Sequence, residues 1–149
     1  MFNVSEKTKR IYCLDGDNVS VRMEAGLINN EIIQVSQFSS QLTLTLENIR
    51  ELVTQECGEV AYCAGDNILF LGQFDSTICE KLLAIFYKQT GCTASMGIGN
   101  TSREAYLALK TAKFEGGGRI VDFQQSFEKS NIMQETATPQ PEVGQEVAV

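Results

Sequence analysis

Two short apolar runs, Val60 to Ala64 and Ile68 to Gly72, are separated only by Gly65-Asp66-Asn67. A gap that short closes most simply as a β-hairpin, so the chain has to build a sheet with an antiparallel pair and an acid at its tip. Both hairpin strands read as central. Upstream, Val35, Phe38, Leu42, Leu46, Ile49 and Val53 recur at spacings of three and four, the period of one helical face. This predicts a long amphipathic helix from about residue 30 to Cys57, closed by Gly58. Leu42-Thr43-Leu44-Thr45-Leu46 alternates as a strand would, but the residues on both sides hold the helical period.

Before that helix, the β-prone run Arg10-Ile-Tyr-Cys-Leu14 stops at the turn formers Asp15-Gly16-Asp17-Asn18. After the hairpin, Asp75 or Ser76 can cap a second helix whose buried stripe is Ile78, Leu82, Ile85 and Phe86, with Gly91 past its end. Thr93 to Gly99 reads as a strand. Thr101-Ser102-Arg103-Glu104 has capping-box spacing and starts a third helix with a small-residue face of Ala105, Ala108, Leu109 and Ala112. After Gly116-Gly117-Gly118, Ile120 to Phe123 supplies a last strand. The order strand, helix, strand, strand, helix, strand, helix, strand is α+β. It predicts a ferredoxin-like βαββαβ unit, an antiparallel central sheet with helices on one face, plus an added C-terminal αβ unit. Tyr12, Tyr62, Phe70 and Phe86 read as core.

Residues 1–123 thus form one domain. From Gln124 the composition shifts to Gln, Glu, Pro and Thr, and Ser130 to Val149 is expected to be disordered, because so few apolar residues cannot offset the ordering entropy. Residues 124–149, mostly such an acidic tail, carry net −3 of the chain's formal −7. That acidity argues against tracking a long nucleic acid by bulk electrostatics. No apolar stretch is long enough to span a bilayer, and no signal peptide is evident. Five cysteines without a C-x-x-C pair read as free thiols in a reducing cytoplasm, Cys13 and Cys63 as small core hydrophobes.

The sequence contains no histidine, which removes Ser-His and Cys-His nucleophile pairs and imidazole-ligated zinc. Chemistry is left to carboxylates, lysine, arginine and bound metal. In the expected topology the first strand lies beside the hairpin, so Asp15 and Asp66 meet in space. Two close carboxylates repel unless a cation lies between them; Mg2+ or Mn2+ suits oxygen ligands, and the Gly16 carbonyl can complete the shell. On spacing alone, Asp15 and Asp66 read equally well as ordinary turn residues.

The strand ending in Asp15-Gly16-Asp17, the hairpin Ala64-Gly65-Asp66-Asn67, the run Thr93 to Gly99, and Glu104-Ala105 to Ala112-Lys113 followed by Gly118-Arg119 together resemble the palm-type nucleotide cyclases. That superfamily holds the GGDEF diguanylate cyclases, the cyclase palm of the type III CRISPR large subunit and archaeal GTP cyclohydrolase III. At this length the chain most resembles the minimal CRISPR polymerase family, linked to cyclic-dinucleotide signalling in antiphage defence. The resemblance spans residues 10–123.

It implies a nucleotidyltransferase that condenses two nucleoside triphosphates, ATP favoured, into a cyclic dinucleotide, with release of pyrophosphate, for a downstream receptor. Asp15 and Asp66 would be catalytic metal ligands with Gly16. The exposed N–H groups around Gly16 to Asn18 would cradle phosphates, Asp17 would be a substitute acid or a phosphate-loop residue, and Gly65 and Asn67 would line the nucleotide site. Lys113 and Arg119 match the family's triphosphate-gripping pair, with two extra residues between them. Asn18 and Arg22 are further candidates for touching base or ribose. Two palms must face each other, hence a homodimer. Ala64 and Asn67 depart from the GGDEF pattern, and Asn67 removes a second acid from the turn. The rival readings are a degenerate palm that only binds nucleotide or cyclic dinucleotide, and a GTP hydrolase or cyclohydrolase on the same fold.

Overall fold

The computed structural model describes residues 9–136. Strand β1 (Arg10–Gly16) is the centre of a five-stranded sheet of order β2-β3-β1-β4-β5. It pairs antiparallel with β3 (Asn67–Gly72) on one side and with β4 (Ala94–Gly99) on the other. The hairpin partner β2 (Glu59–Ala64) is an edge strand, bulged between Val60 and Tyr62, so only one hairpin strand is central. Tyr62 is accordingly 49% exposed, outside the core. Strand β5 (Ile120–Asp122) adds parallel to β4 at the far edge.

Alternation along β1 divides the molecule into layers. Tyr12 and Leu14 are buried among the helices α2 (Ile32–Gln55) and α3 (Ser76–Thr90), while Cys13 and Asp15 point to the opposite face. Tyr12 stacks on Phe70 at 5.1 Å and meets the edge of Phe74, and its hydroxyl accepts the Phe74 amide N–H at 3.0 Å. Phe38, Leu42, Leu46, Ile49 and Val53 form the buried stripe of α2, so the helical period prevails over the alternation at 42–46. Asp75 caps α3 by accepting the Ile78 N–H at 2.9 Å.

Helix α4 (Ser102–Phe114), capped by Thr101, covers the opposite face over β4. A Cβ at Gly97 would lie 2.1 Å from the Ala105 carbonyl oxygen and 2.3 Å from the Leu109 nitrogen. The alanine face of α4 and the glycines of β4 are therefore one device, allowing the two backbones to touch.

Two elements differ from expectation. Val19–Ile28 forms a separate helix, α1, before α2, with Asn30 turning between them at φ 60. Its exposed Val21, Leu27 and Ile28 blur the apolar stripe by which a helix is recognised in sequence. The chain also continues past β5 as helix α5 (Phe123–Thr136), which extends into the stretch from Ser130 to Val149 that the composition predicts to be disordered. Arg10 anchors its start with bonds of 2.6 and 2.8 Å to Asp122 and 2.6 Å to Gln124, a long-range tie that local composition does not reveal. The rest of the expected tail, 137–149, lies outside the described residues.

Gly97→Ala is expected to lower the unfolding free energy by about 2 kcal/mol, because the added methyl meets backbone that cannot yield. An unchanged urea midpoint would contradict the close docking of α4.

Candidate functional site

The strand pairing brings the sequence candidates together at one end of β1. Asp15 lies opposite Asn67 on one side and Ser95 on the other. The Gly16 N–H donates to the Asp66 carbonyl at 2.9 Å, which pins the hairpin tip to the end of β1. The Asp15 side chain faces α4, and Lys113, in the last turn of that helix, reaches back to it. Its ammonium lies 2.9 Å from Asp15 Oδ2, 3.0 Å from the Gly16 carbonyl and 3.0 Å from Asp17 Oδ1. Three protons thus meet three oxygens from three successive residues.

Asp17 is 8% exposed, and both its oxygens are fully used. Oδ1 accepts from Ser95 Oγ at 2.8 Å and from Lys113; Oδ2 accepts from Thr93 Oγ1 and the Gly118 N–H, both at 2.8 Å. Burial works against its charge, but the hydrogen bonds from Thr93, Ser95, Gly118 and Lys113 outweigh it and hold the carboxyl below its ordinary pKa. Asp17 is therefore a structural hub rather than a spare metal ligand or a phosphate contact. Thr93, Ser95 and Gly118 escaped the sequence reading of the site. The alternation Thr93-x-Ser95 at the start of β4, beside β1, was the available signal.

Asp66 is the counterpoint. Burial first, and then the charge of Asp15, raise its pKa, more than its own backbone N–H and Lys113 lower it. Beside it, Asn67 Oδ1 is buried with no hydrogen-bond partner among the described residues. Lys113 is also partly buried, which disfavours its charge, but Asp15 and Asp17 more than offset this and raise its pKa. No group of three or more acids, cysteines or histidines suited to a metal ion occurs among the described residues, so any cation here would rely on two acids and neutral oxygens.

Other candidates lie apart from this cluster. Asn18 is exposed, with φ 56, and starts α1 with no side-chain cap; an asparagine tolerates that left-handed turn. Gly65, at φ 61, is exposed at the hairpin tip. Arg119 pairs with Glu115 at 3.5 Å and is half-exposed, so it does not join the acids. Arg22 donates to the Thr90 carbonyl and lies 4.0 Å over the Phe38 ring, a structural placement rather than an open base contact. The N–H groups of Gly16 and Asp17 are bonded to the Asp66 and Thr93 carbonyls, so they are not free to cradle phosphate. The five cysteines are free, and burial, with a nearby acid, pushes Cys13 and Cys79 up to about 11, which leaves them as unreactive thiols.

These opposite shifts give opposite stability signs. Asp17 has a lowered folded pKa, so its contribution is complete above the ordinary carboxylate range and is lost as pH falls through the folded value. Asp17→Asn is expected to destabilise the protein by about 2–3 kcal/mol at pH 7. Asp66, with a raised folded pKa, opposes folding once ionised, so Asp66→Asn is expected to raise the melting temperature at pH 7. That gain should vanish below about pH 3.5, where Asp66 is protonated in both states. Thermal melts across pH check both, and a lower melting temperature for Asp66→Asn at pH 7 would refute the reading of the site.

The minimal CRISPR polymerase domain is matched over residues 11–123. No curated protein matches the chain. Among solved structures, a Csm1-Csm4 cassette in complex with pppApA is similar at TM-score 0.59 and 18% identity, over 75% of this chain and 20% of that one. The cassette in complex with cA4 gives 0.58 and 19%, over the same shares. The GGDEF domain of DgcB from Caulobacter crescentus, in complex with c-di-GMP, gives 0.55 and 12%, over 78% of each chain. These likenesses concern the fold alone, a mixed α/β palm. With more than half of its length matched, from the start of β1 to the start of α5, the chain belongs to the minimal CRISPR polymerase family.

Proposed function

We propose that this protein is a nucleotidyltransferase that joins two nucleoside triphosphates into a cyclic dinucleotide, releasing pyrophosphate. The observation that carries this reading is that the Lys113 ammonium binds Asp15 and the Gly16 carbonyl at one end of β1, where the charges of Asp15 and Lys113 both act on the Asp66 carboxyl. The oxygens fit a hard divalent cation: burial and then the charge of Asp15 raise the pKa of the Asp66 carboxyl, and Asn67 Oδ1 is buried without a partner among the described residues. Mg2+ or Mn2+ held by Asp15, Asp66 and Gly16 would lower the pKa of the attacking sugar hydroxyl and neutralise charge on the phosphoryl oxygens.

The chain's own residues then bind and orient. Helix α1 begins where β1 ends, and its cap, Asn18, supplies no side-chain acceptor, so its first-turn amides favour an anionic triphosphate. Lys113 supplies the cationic side chain at that end of the sheet. Arg119 would have to leave Glu115 to join it. One palm positions one nucleotide, so a second copy, facing the first, brings the other. ATP is the favoured substrate, in keeping with the pppApA and cA4 held by the Csm1-Csm4 relatives. A role in antiphage signalling through a cyclic-dinucleotide receptor, in the cytoplasm, follows from the same family reading. The described residues contain no helix long and apolar enough to cross a membrane.

Incubation with Mg2+ or Mn2+ and each nucleoside triphosphate, alone and in pairs, followed by mass spectrometry, tests the reading. A cyclic dinucleotide is expected, with ATP consumed fastest and at least about a thousandfold lower yield from Asp66→Asn. Nucleotide bound but unchanged would replace the synthase by a binding module, and a hydrolysed or ring-opened guanosine product would replace it by a hydrolase or cyclohydrolase.

A further inference from the structure

Lys113 Nζ does not sit in open solvent awaiting a phosphate. It occupies the position where Asp15 Oδ2 and the Gly16 carbonyl converge, two of the three groups assigned above to a divalent cation. An ammonium and a divalent ion compete for those oxygens: the metal needs contacts near about 2.1 Å, and the two positive charges would repel at close range. The third acceptor, Asp17 Oδ1, is of a different kind. Thr93, Ser95 and Gly118 lock that carboxylate in place whatever happens at Asp15. Lys113 is only partly buried, on a flexible four-carbon stem whose root is fixed by the tight docking of α4 on β4.

We infer that Lys113 is an exchangeable placeholder cation: a divalent metal enters by displacing its ammonium from Asp15 and Gly16, and Asp17 keeps the released ammonium within reach of the triphosphate. The inference rests on the proposed metal reading and adds a coupling to it. Lys113 competes with the metal but cooperates with the nucleotide, so metal binding prepares the triphosphate site through a single side chain. A lysine present only to stabilise the fold would show no such exchange.

Mn2+ binding without nucleotide, followed by the electron paramagnetic resonance signal of free Mn2+, separates the possibilities. Lys113→Met is expected to bind Mn2+ roughly tenfold more tightly than the wild-type protein, and Asp15→Asn to lose binding. If Asp15→Asn loses Mn2+ while Lys113→Met binds no more tightly, the placeholder role is wrong and the metal reading stands. If Asp15→Asn binds as well as wild type, the metal reading falls and the placeholder with it. A second measurement needs no variant at Lys113: acetylation of the wild-type protein, read peptide by peptide by mass spectrometry, with exposed Lys110 as the internal control. Saturating Mn2+ should accelerate acetylation of Lys113 several-fold relative to Lys110, and adding a non-hydrolysable ATP analogue should slow it again. A Lys113 rate that ignores Mn2+ overturns the proposal.

Discussion

The ion pair between Asp17 and Lys113 is the constraint on which the arrangement of this site depends. Asp17 follows the central strand, Lys113 ends α4, and the remaining partners of Asp17 come from β4 and its approach and from the glycine turn before β5. One carboxylate therefore fixes where four segments meet. A buried charge with a single partner is a weak stabiliser, since desolvation consumes much of the attraction. Asp17 escapes that limit because four donors share it, and the loss of any one leaves a buried acceptor site unpaired.

The same junction contains a group that works against folding. The hydrogen bond from the Gly16 N–H to the Asp66 carbonyl ties the hairpin tip to the end of β1, where burial and then the charge of Asp15 disfavour the ionised Asp66 carboxyl. A fold selected for stability alone would place a neutral residue there. A satisfied acid at the end of β1 and a destabilised one at the tip of the neighbouring hairpin are what the proposed cation site would call for.

Much of this was legible in the chain. The hairpin, the long α2, the capped α3 and α4 and the order of strands follow from local periodicity and turn chemistry, and the βαββαβ order places Asp15 beside the hairpin tip before any coordinate is seen. What escaped was set by non-local partners. Val19–Ile28 lacks a clean apolar face, and β2 carries apolar residues although it is an edge strand. The start of α5 is held by Arg10, more than a hundred residues away in sequence. At the site, Lys113 was recognisable as the basic residue of interest, but its partners were not: an ammonium that reaches three consecutive residues at the far end of β1 depends on how closely α4 approaches the sheet, which Gly97 and the alanines of α4 decide together. Arg119 looked equivalent in sequence and turned instead to Glu115, four residues earlier across the glycine turn.

On the proposed reading, the end of β1 is a cation site shared between Lys113 and a divalent metal. A crystal structure with Mn2+ and a non-hydrolysable ATP analogue, with the metal located by its anomalous scattering, tests it most directly. The expected result is a manganese peak bound by Asp15, Asp66 and the Gly16 carbonyl, with Lys113 Nζ withdrawn from Asp15 and turned to the triphosphate. Lys113 still bonded to Asp15 and Gly16, with manganese bound elsewhere, would contradict it.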